Sequence, residues 1–293
     1  MTVPARPTPL FADIADVSRR LAETGYLPDT ATATAVFLAD RLRQPKPLLV
    51  EGPAGVGKTE LARAVAQATG SGLVRLQCYE GVDEARALYE WNHAKQILRI
   101  QAGSGDWEAT KTDVFSEEFL LQRPLLTAIR RTEPTVLLID ETDKADIEIE
   151  GLLLEVLSDF AVTVPELGTL TATRAPFVLL TSNATRELSE ALKRRCLYLH
   201  IDFPTPELER RILLSRVPEL PEHFAEELVR IIGVLRGMQL KKVPSIAETI
   251  DWGRTVLALG LDTIDDAVVA ATLGVVLKHQ SDQQRATGEL RLN

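Results

Sequence analysis

The chain has 293 residues, 45% of them hydrophobic and 26% charged. That composition can bury a core without metal or disulfide staples, and the length suits one large domain or two ordinary ones. Its 33 Lys and Arg against 42 Asp and Glu leave a formal net charge of -9, which argues against bare nucleic acid as the main ligand, because such binding rests on neutralising phosphates.

No stretch reaches the roughly 20 apolar residues that span a bilayer; the longest uncharged apolar run is 267–277. The opening MTVPARPTPLF lacks the apolar run of a secretory signal. Cys78 and Cys196 stand alone among apolar neighbours, with no CxxC or Cys/His pattern. They read as small packers in a reducing compartment, so a cytoplasmic protein is expected.

Helical spacing over 12–24 and 29–43 is broken by Gly25-Tyr26-Leu27-Pro28. The apolar run 48–50 leads into a Gly-rich loop at 52–57. A helix is predicted from 58 to 68, with Leu61, Ala64, Val65 and Ala68 on one face and Gly70 as its stop. Further strands are predicted at 73–78, 135–139, 177–181 and 197–201; three of these are near-continuous apolar runs, as in parallel strands covered on both faces. A helix is expected over 146–160, then a hairpin pairing 162–164 with 169–172. Alternating strands and helices imply a doubly wound parallel α/β sheet.

After Phe203 only helical patterns continue. Thr205-Pro206 reads as a cap and first-turn proline, Ser245 to Glu248 as a capping box, 262–278 as a helix and 280–293 as a polar tail. The predicted organisation is an α/β nucleotide-binding domain over 1–203, N-terminal helices included, and a small helical lid domain with its tail over 204–293.

Gly52, Pro53, Ala54, Gly55, Val56, Gly57, Lys58 and Thr59 form a full GxxxxGK[ST] phosphate-binding loop. About 0.01 such matches are expected by chance in a chain of this length. Glycines let successive amides turn toward the phosphates, and the new helix adds its positive end. Lys58 places a charge on the terminal phosphates of ATP, and the Thr59 hydroxyl can ligate Mg2+. The apolar strand Val136-Leu137-Leu138-Ile139 ends in Asp140 and Glu141. Asp140 at the sheet's carboxyl edge would assist the Mg2+ shell through water, and Glu141 would orient and deprotonate the attacking water. Asn183, ending the next strand, could fix the same water. Within Leu192-Lys193-Arg194-Arg195-Cys196, the cations either complement a helix dipole or supply an arginine to a neighbouring subunit's nucleotide, Arg195 being the preferred candidate over Arg194.

Together these elements resemble an AAA+ ATPase over nearly the whole chain. GPAGVGKT resembles its Walker A, VLLIDE its Walker B, Asn183 its sensor 1 and Arg195 its arginine finger. The stretches at 75–92, 163–172 and 180–204 are similar to the MoxR branch, and most to CoxD-type members linked to maturation of molybdenum-containing carbon monoxide dehydrogenase and related hydroxylases. The resemblance implies strand order 5-1-4-3-2, a ring homo-oligomer (usually a hexamer) with ATP between subunits, and a protein client, here a molybdenum hydroxylase. It also implies a partner with a von Willebrand factor A domain. MoxR-type lids place an Arg directly after a Pro as sensor 2, whereas here Ser245 follows Pro244; Lys241, Lys242 and Arg254 are the nearby cations.

Three other readings of the same loop are a phosphotransferase, a clamp-loader-like nucleic-acid remodeller and a nucleotide-gated scaffold. His93 reads as a surface or packing residue, Trp91 and Trp107 as packing around the 103–105 loop, and Asp143, Lys144, Glu148 and Glu150 as a solvated helix start.

Overall fold

The structure, a computed structural model, describes residues 9–42, 44–102, 113–261 and 263–290. Trp107, the 103–105 loop, Asp262 and residues 291–293 of the expected tail lie outside the described residues.

Two helices open the described chain, α1 (Ile14–Glu23) and α2 (Thr30–Arg41). Asp13 and Asp29 cap them, each accepting the amide of its helix's third residue at 2.7 Å. The buried Asp40 of α2 accepts the amides of Leu10 at 2.7 Å and Phe11 at 3.1 Å, which ties the incoming chain to the helix.

The α/β part follows as β1 (Leu48–Glu51), α3 (Lys58–Thr69), β2 (Gly72–Gln77), α4 (Glu84–Ala87), β3 (Tyr89–Trp91), α5 (His93–Ala102), β4 (Leu120–Gln122), α6 (Pro124–Arg130) and β5 (Thr135–Asp140). It continues with α7 (Ile147–Asp159), β6 (Ala161–Val164), β7 (Gly168–Thr171), β8 (Phe177–Ser182), α8 (Glu190–Arg195) and β9 (Leu197–His200).

Five strands form one parallel sheet in the order β2-β5-β8-β1-β9. Counting those five in chain order gives 5-1-4-3-2 from one edge, as the resemblance implies. Every residue of β5 and of β8 is buried, which is why both read as near-continuous apolar runs. Truncating one of their leucines to alanine is the kind of change that costs about 2–5 kcal/mol. The sheet order turns back at β1, and the strands there end in Glu51, Asp140 and Ser182 at their carboxyl edge, where such sheets bind ligands.

The hairpin forms with β6 paired antiparallel to β7. A second antiparallel pair, β3 with β4, and helices α4 and α5 lie between β2 and β5; three-residue strands and a four-residue helix carry too little periodicity to be read beforehand.

By internal contacts the chain falls into two units. The first holds the segment ending at Thr24, Pro28–Glu51 and Thr59–His200; the second holds Gly25–Leu27, Gly52–Lys58 and the segment from Ile201 onward.

The second unit contains α9 (Pro206–Arg216), α10 (Glu222–Gly237), α11 (Ile246–Ala258), α12 (Asp266–Val276) and α13 (Gln280–Glu289). Thr205 caps α9, and Glu248 accepts the Ser245 amide at 3.0 Å at the head of α11. Leu213, Leu228, Ile232, Leu235, Trp252 and Leu273 form its core. Buried within this unit, Glu209 binds Arg236 through both carboxylate oxygens and accepts the Thr249 hydroxyl at 2.7 Å. Arg236 also donates to the Pro244 carbonyl at 2.9 Å, which fixes the turn entering α11.

Two expectations are corrected here. Helix α12 starts at Asp266 because Asp265 supplies its cap. The polar tail expected from 280 is instead helix α13 through Glu289. It has almost no apolar stripe; the buried Asp282 accepts the amides of Lys241 and Lys242, and Gln283 donates to the Leu277 carbonyl at 2.8 Å.

Candidate active site

Strand β1 delivers the chain into the loop at 52–57, where Gly52, Gly55 and Gly57 have φ of 152°, 77° and 96°. At two of these positions space as well as backbone demands glycine. A Cβ on Gly52 would lie 1.9 Å from the Ile201 carbonyl oxygen, and one on Gly55 would lie 2.3 Å from the Ser245 hydroxyl. Lys58 is buried, with its ammonium donating to the carbonyls of Gly52 at 2.7 Å and Pro53 at 2.6 Å. The loop thus wraps its own lysine, at the N-terminus of α3, where orphan amides and the helix dipole favour an anion.

The next residue, Thr59, donates its hydroxyl proton to Asp140 Oδ1 at 2.9 Å. Asp140 ends β5 with 2% exposure, and the same oxygen accepts the Thr181 hydroxyl at 2.5 Å. Its other oxygen, Oδ2, accepts from Arg75 on β2, through Nε at 3.1 Å and Nη2 at 2.5 Å. A threonine that gives its proton to a carboxylate keeps its lone pairs free for a cation. Thr59 and Asp140 are therefore a pair of hard oxygen donors that fits Mg2+.

Glu141 turns the chain in the left-handed region, at φ 57° and ψ 47°. For a non-glycine residue that conformation costs about 1 kcal/mol, and the bond from its amide to the Thr181 hydroxyl at 2.9 Å helps to hold it. Its Oε2 accepts from Gln77 Nε2 at 3.0 Å and from Lys144 Nζ at 2.6 Å. The Glu141 carboxylate raises the Lys144 ammonium above its ordinary value.

Asn183 is half-buried one residue beyond β8, followed by Ala184 at φ 56°. This turn is pinned to the turn of Glu141 by Asp143, whose Oδ2 accepts the Thr185 amide at 3.0 Å and the Thr185 hydroxyl at 2.5 Å. Burial pushes the Asp143 carboxyl up, but the Thr185 hydroxyl and amide and the Asn183 amide outweigh it and hold it below the usual range. Glu150 on α7 likewise binds Arg186 and accepts the Ser189 amide at 2.9 Å. Asp143 and Glu150, with 3% and 2% exposure, correct the expectation of a solvated helix start; Lys144 and Glu148 are exposed as expected.

Arg195 ends α8 on the surface, donating to the Leu154 carbonyl of α7, and Arg194 beside it is also exposed. Neither joins the cluster around Asp140. Of the cations near Pro244, Lys242 pairs with Glu248 at 3.2 Å and Arg254 with Asp251 at 3.3 Å; the backbone amide of Lys241 is held by Asp282. His93 is exposed and bonds Gln96, and Trp91 packs edge-on against Tyr89 and Phe115.

The structure brings together Thr59, Asp140 and Glu141, and adds Arg75, Gln77 and Thr181, which the sequence reading missed. Arg75 and Gln77 alternate with the buried Val74 and Leu76 on an edge strand, and Gln77 stands in register with Asp140. Two polar residues at period two beside an acid-tipped strand were the available signal.

A glycine loop between a buried strand and a helix, with its lysine folded beneath it and its threonine bonded to an acid ending a second buried strand, defines a P-loop nucleoside triphosphatase. Residues 47–196 match the AAA domain family, dynein-related subfamily, over more than half of the chain. The chain belongs to that family. It is 24% identical over 242 residues to the chaperone protein ClpB of Chlamydia pneumoniae, covering 78% of this chain and 26% of ClpB. It is 25% identical over 215 residues to the 26S proteasome regulatory subunit 8 homolog B of Arabidopsis thaliana, covering 69% of this chain and 40% of that protein. The chain thus spans about a quarter of the length of the ClpB relative. Among solved structures, a point mutant of Thermotoga maritima RuvB aligns with a TM-score of 0.49 and 17% identity, over 98% of this chain and 74% of that one.

Proposed function

We propose that this protein is a Mg2+-dependent ATPase that works as a ring, usually a hexamer, and couples hydrolysis to the remodelling of a partner protein in the cytoplasm. The observation that supports this reading best is the Thr59–Asp140 pair, followed directly by Glu141 on its left-handed turn. Residues 1–203 act as the nucleotide-binding domain and 204–293 as the helical lid.

The loop from Gly52 to Thr59 (Gly52, Pro53, Ala54, Gly55, Val56, Gly57, Lys58) binds the phosphates, and Lys58 exchanges its two loop carbonyls for phosphate oxygens. Thr59 and Asp140 hold the cation, which when bound neutralises charge on the β- and γ-phosphates. Glu141 leaves Gln77 and Lys144, orients a water with Asn183 and takes its proton at Oε2. Arg195 serves the neighbouring subunit, where a guanidinium offsets the charge that builds in phosphoryl transfer. The similarity to ClpB supports a protein substrate. The resemblance to the MoxR branch and its CoxD-type members points further, to a molybdenum hydroxylase as client and a von Willebrand factor A domain protein as partner.

Phosphate release measured at rising protein concentration tests this. Specific activity should climb with assembly to a plateau, and Glu141→Gln should bind nucleotide yet lose hydrolysis by at least about 100-fold. Concentration-independent turnover, or turnover in the Gln variant equal to the parent's, contradicts it.

A further inference from the structure

The two oxygens of Asp140 keep different company. Oδ1 accepts two neutral hydroxyls, from Thr59 and Thr181, while Oδ2 accepts the guanidinium of Arg75 through two nitrogens. The exposures differ as sharply: the Asp140 side chain is 2% exposed and that of Arg75 is 44%. The acid is fixed within the sheet, and its cation reaches in from the solvent side of the edge strand β2. Arg75 also donates to Gln77, whose amide in turn donates to Glu141. One guanidinium thus touches one acid directly and the other through an amide.

A carboxylate this deeply buried needs a counter-charge at all times, because leaving it unpaired is strongly unfavourable. With Thr59 and Thr181 engaged on Oδ1, the oxygen left for a metal ion or its bound water is Oδ2, where the Arg75 guanidinium sits. A dication and a guanidinium cannot share that oxygen without repulsion at short range. The long, half-exposed arginine stem lets the guanidinium withdraw to water, which the buried carboxylate cannot do.

Resting on the reading that Thr59 and Asp140 hold the magnesium ion, we propose that Arg75 is a positioning residue that competes with the divalent cation for Asp140. It occupies the metal-facing oxygen until magnesium arrives with nucleotide, and so sets how much magnesium the site requires. It also holds the Asp140 carboxylate in place between turnovers, so that displacement of Arg75 accompanies loading.

The test titrates Mg2+ into the full-length protein with a fixed concentration of fluorescent ADP, following binding rather than turnover, for the parent, Arg75→Gln and Arg75→Lys. Mn2+ followed by its electron paramagnetic resonance signal gives a second, direct reading of metal uptake. Removing a charge-assisted contact of this kind should lower the half-saturating metal concentration about tenfold in Arg75→Gln. Arg75→Lys, which keeps the charge but has no planar fork, should fall between the two. A Gln variant that melts like the parent and binds ADP but has an unchanged or higher metal midpoint overturns the proposal, leaving Arg75 as a mere prop for Asp140. A parent curve insensitive to metal removes the magnesium reading itself, and the proposal with it.

Discussion

Gly55 is one of two residues in the phosphate loop where both backbone and space demand glycine. Its φ is 77°, and an added Cβ would meet both the hydroxyl and the Cβ of Ser245, at 2.3 and 2.5 Å. Ser245 cannot swing aside cheaply, because Glu248 holds its amide and hydroxyl at the head of α11. Gly55→Ala should therefore lower the melting temperature and weaken nucleotide binding by tenfold or more, since strain of about 1–3 kcal/mol falls on the loop itself. Gly233 in α10 is the control: nothing lies within 4 Å of a Cβ there, so Gly233→Ala should stabilise by about 0.5–1 kcal/mol. Differential scanning fluorimetry with nucleotide titration checks both, and a Gly55→Ala protein indistinguishable from the parent would contradict this account of the loop. At this scale the sequence was legible wherever chemistry is local: Lys58, Thr59, Asp140 and Glu141 announce themselves by spacing. Partners separated by dozens of residues were not, as Arg75 with Asp140 and Asp143 with Thr185 demonstrate. The cysteines behave as expected of inert packers, with burial foremost in pushing both thiols up to about 12.

Among the elements, α7 holds the segment after β8 in place. Glu150 binds Arg186 and the Ser189 amide, and Arg195 reaches the Leu154 carbonyl, so the stretch from Asn183 to the end of α8 is fastened to one helix. Burial pushes the Glu150 carboxyl up, yet its bonds to Ser189 and Arg186 outweigh that and hold it below the ordinary value. A depressed carboxyl contributes stability that is complete above its unfolded value, about 4, and that is lost as pH falls through the folded one. Glu150→Gln should cost on the order of 1–3 kcal/mol at neutral pH, by loss of a charge-assisted pair, and should flatten the decline in stability between about pH 5 and pH 3. Chemical denaturation across that range measures it; parallel acid limbs in parent and variant would refute the role given to Glu150. The elements legible beforehand were those with a strong period or a near-continuous apolar run, such as α3, β5 and β8. Helix α13 was hidden because its order comes from polar bonds made by Asp282, Gln283 and Arg285, which leave no stripe. The acids of α7 were misread because burial of a charge depends on partners supplied by distant sequence.

For the molecule as a whole, the alternation of strands and helices up to residue 203 foretold the α/β class, and the AAA+ resemblance foretold the strand order that the sheet adopts. No helix among the described residues is long and apolar enough to cross a membrane. What no pattern within one chain encodes is the identity of a client, because a recognition surface has no fixed period or spacing. The central claim, that the loop at 52–59 embraces the phosphates of ATP with Asp140 and Glu141 serving its breakdown, is tested most directly by titration calorimetry. A non-hydrolysable ATP analogue is titrated with magnesium into the parent and into Lys58→Ala. The account predicts one saturable site per chain in the parent and none in the variant. No uptake by well-folded parent protein, or equal uptake by both, would contradict it.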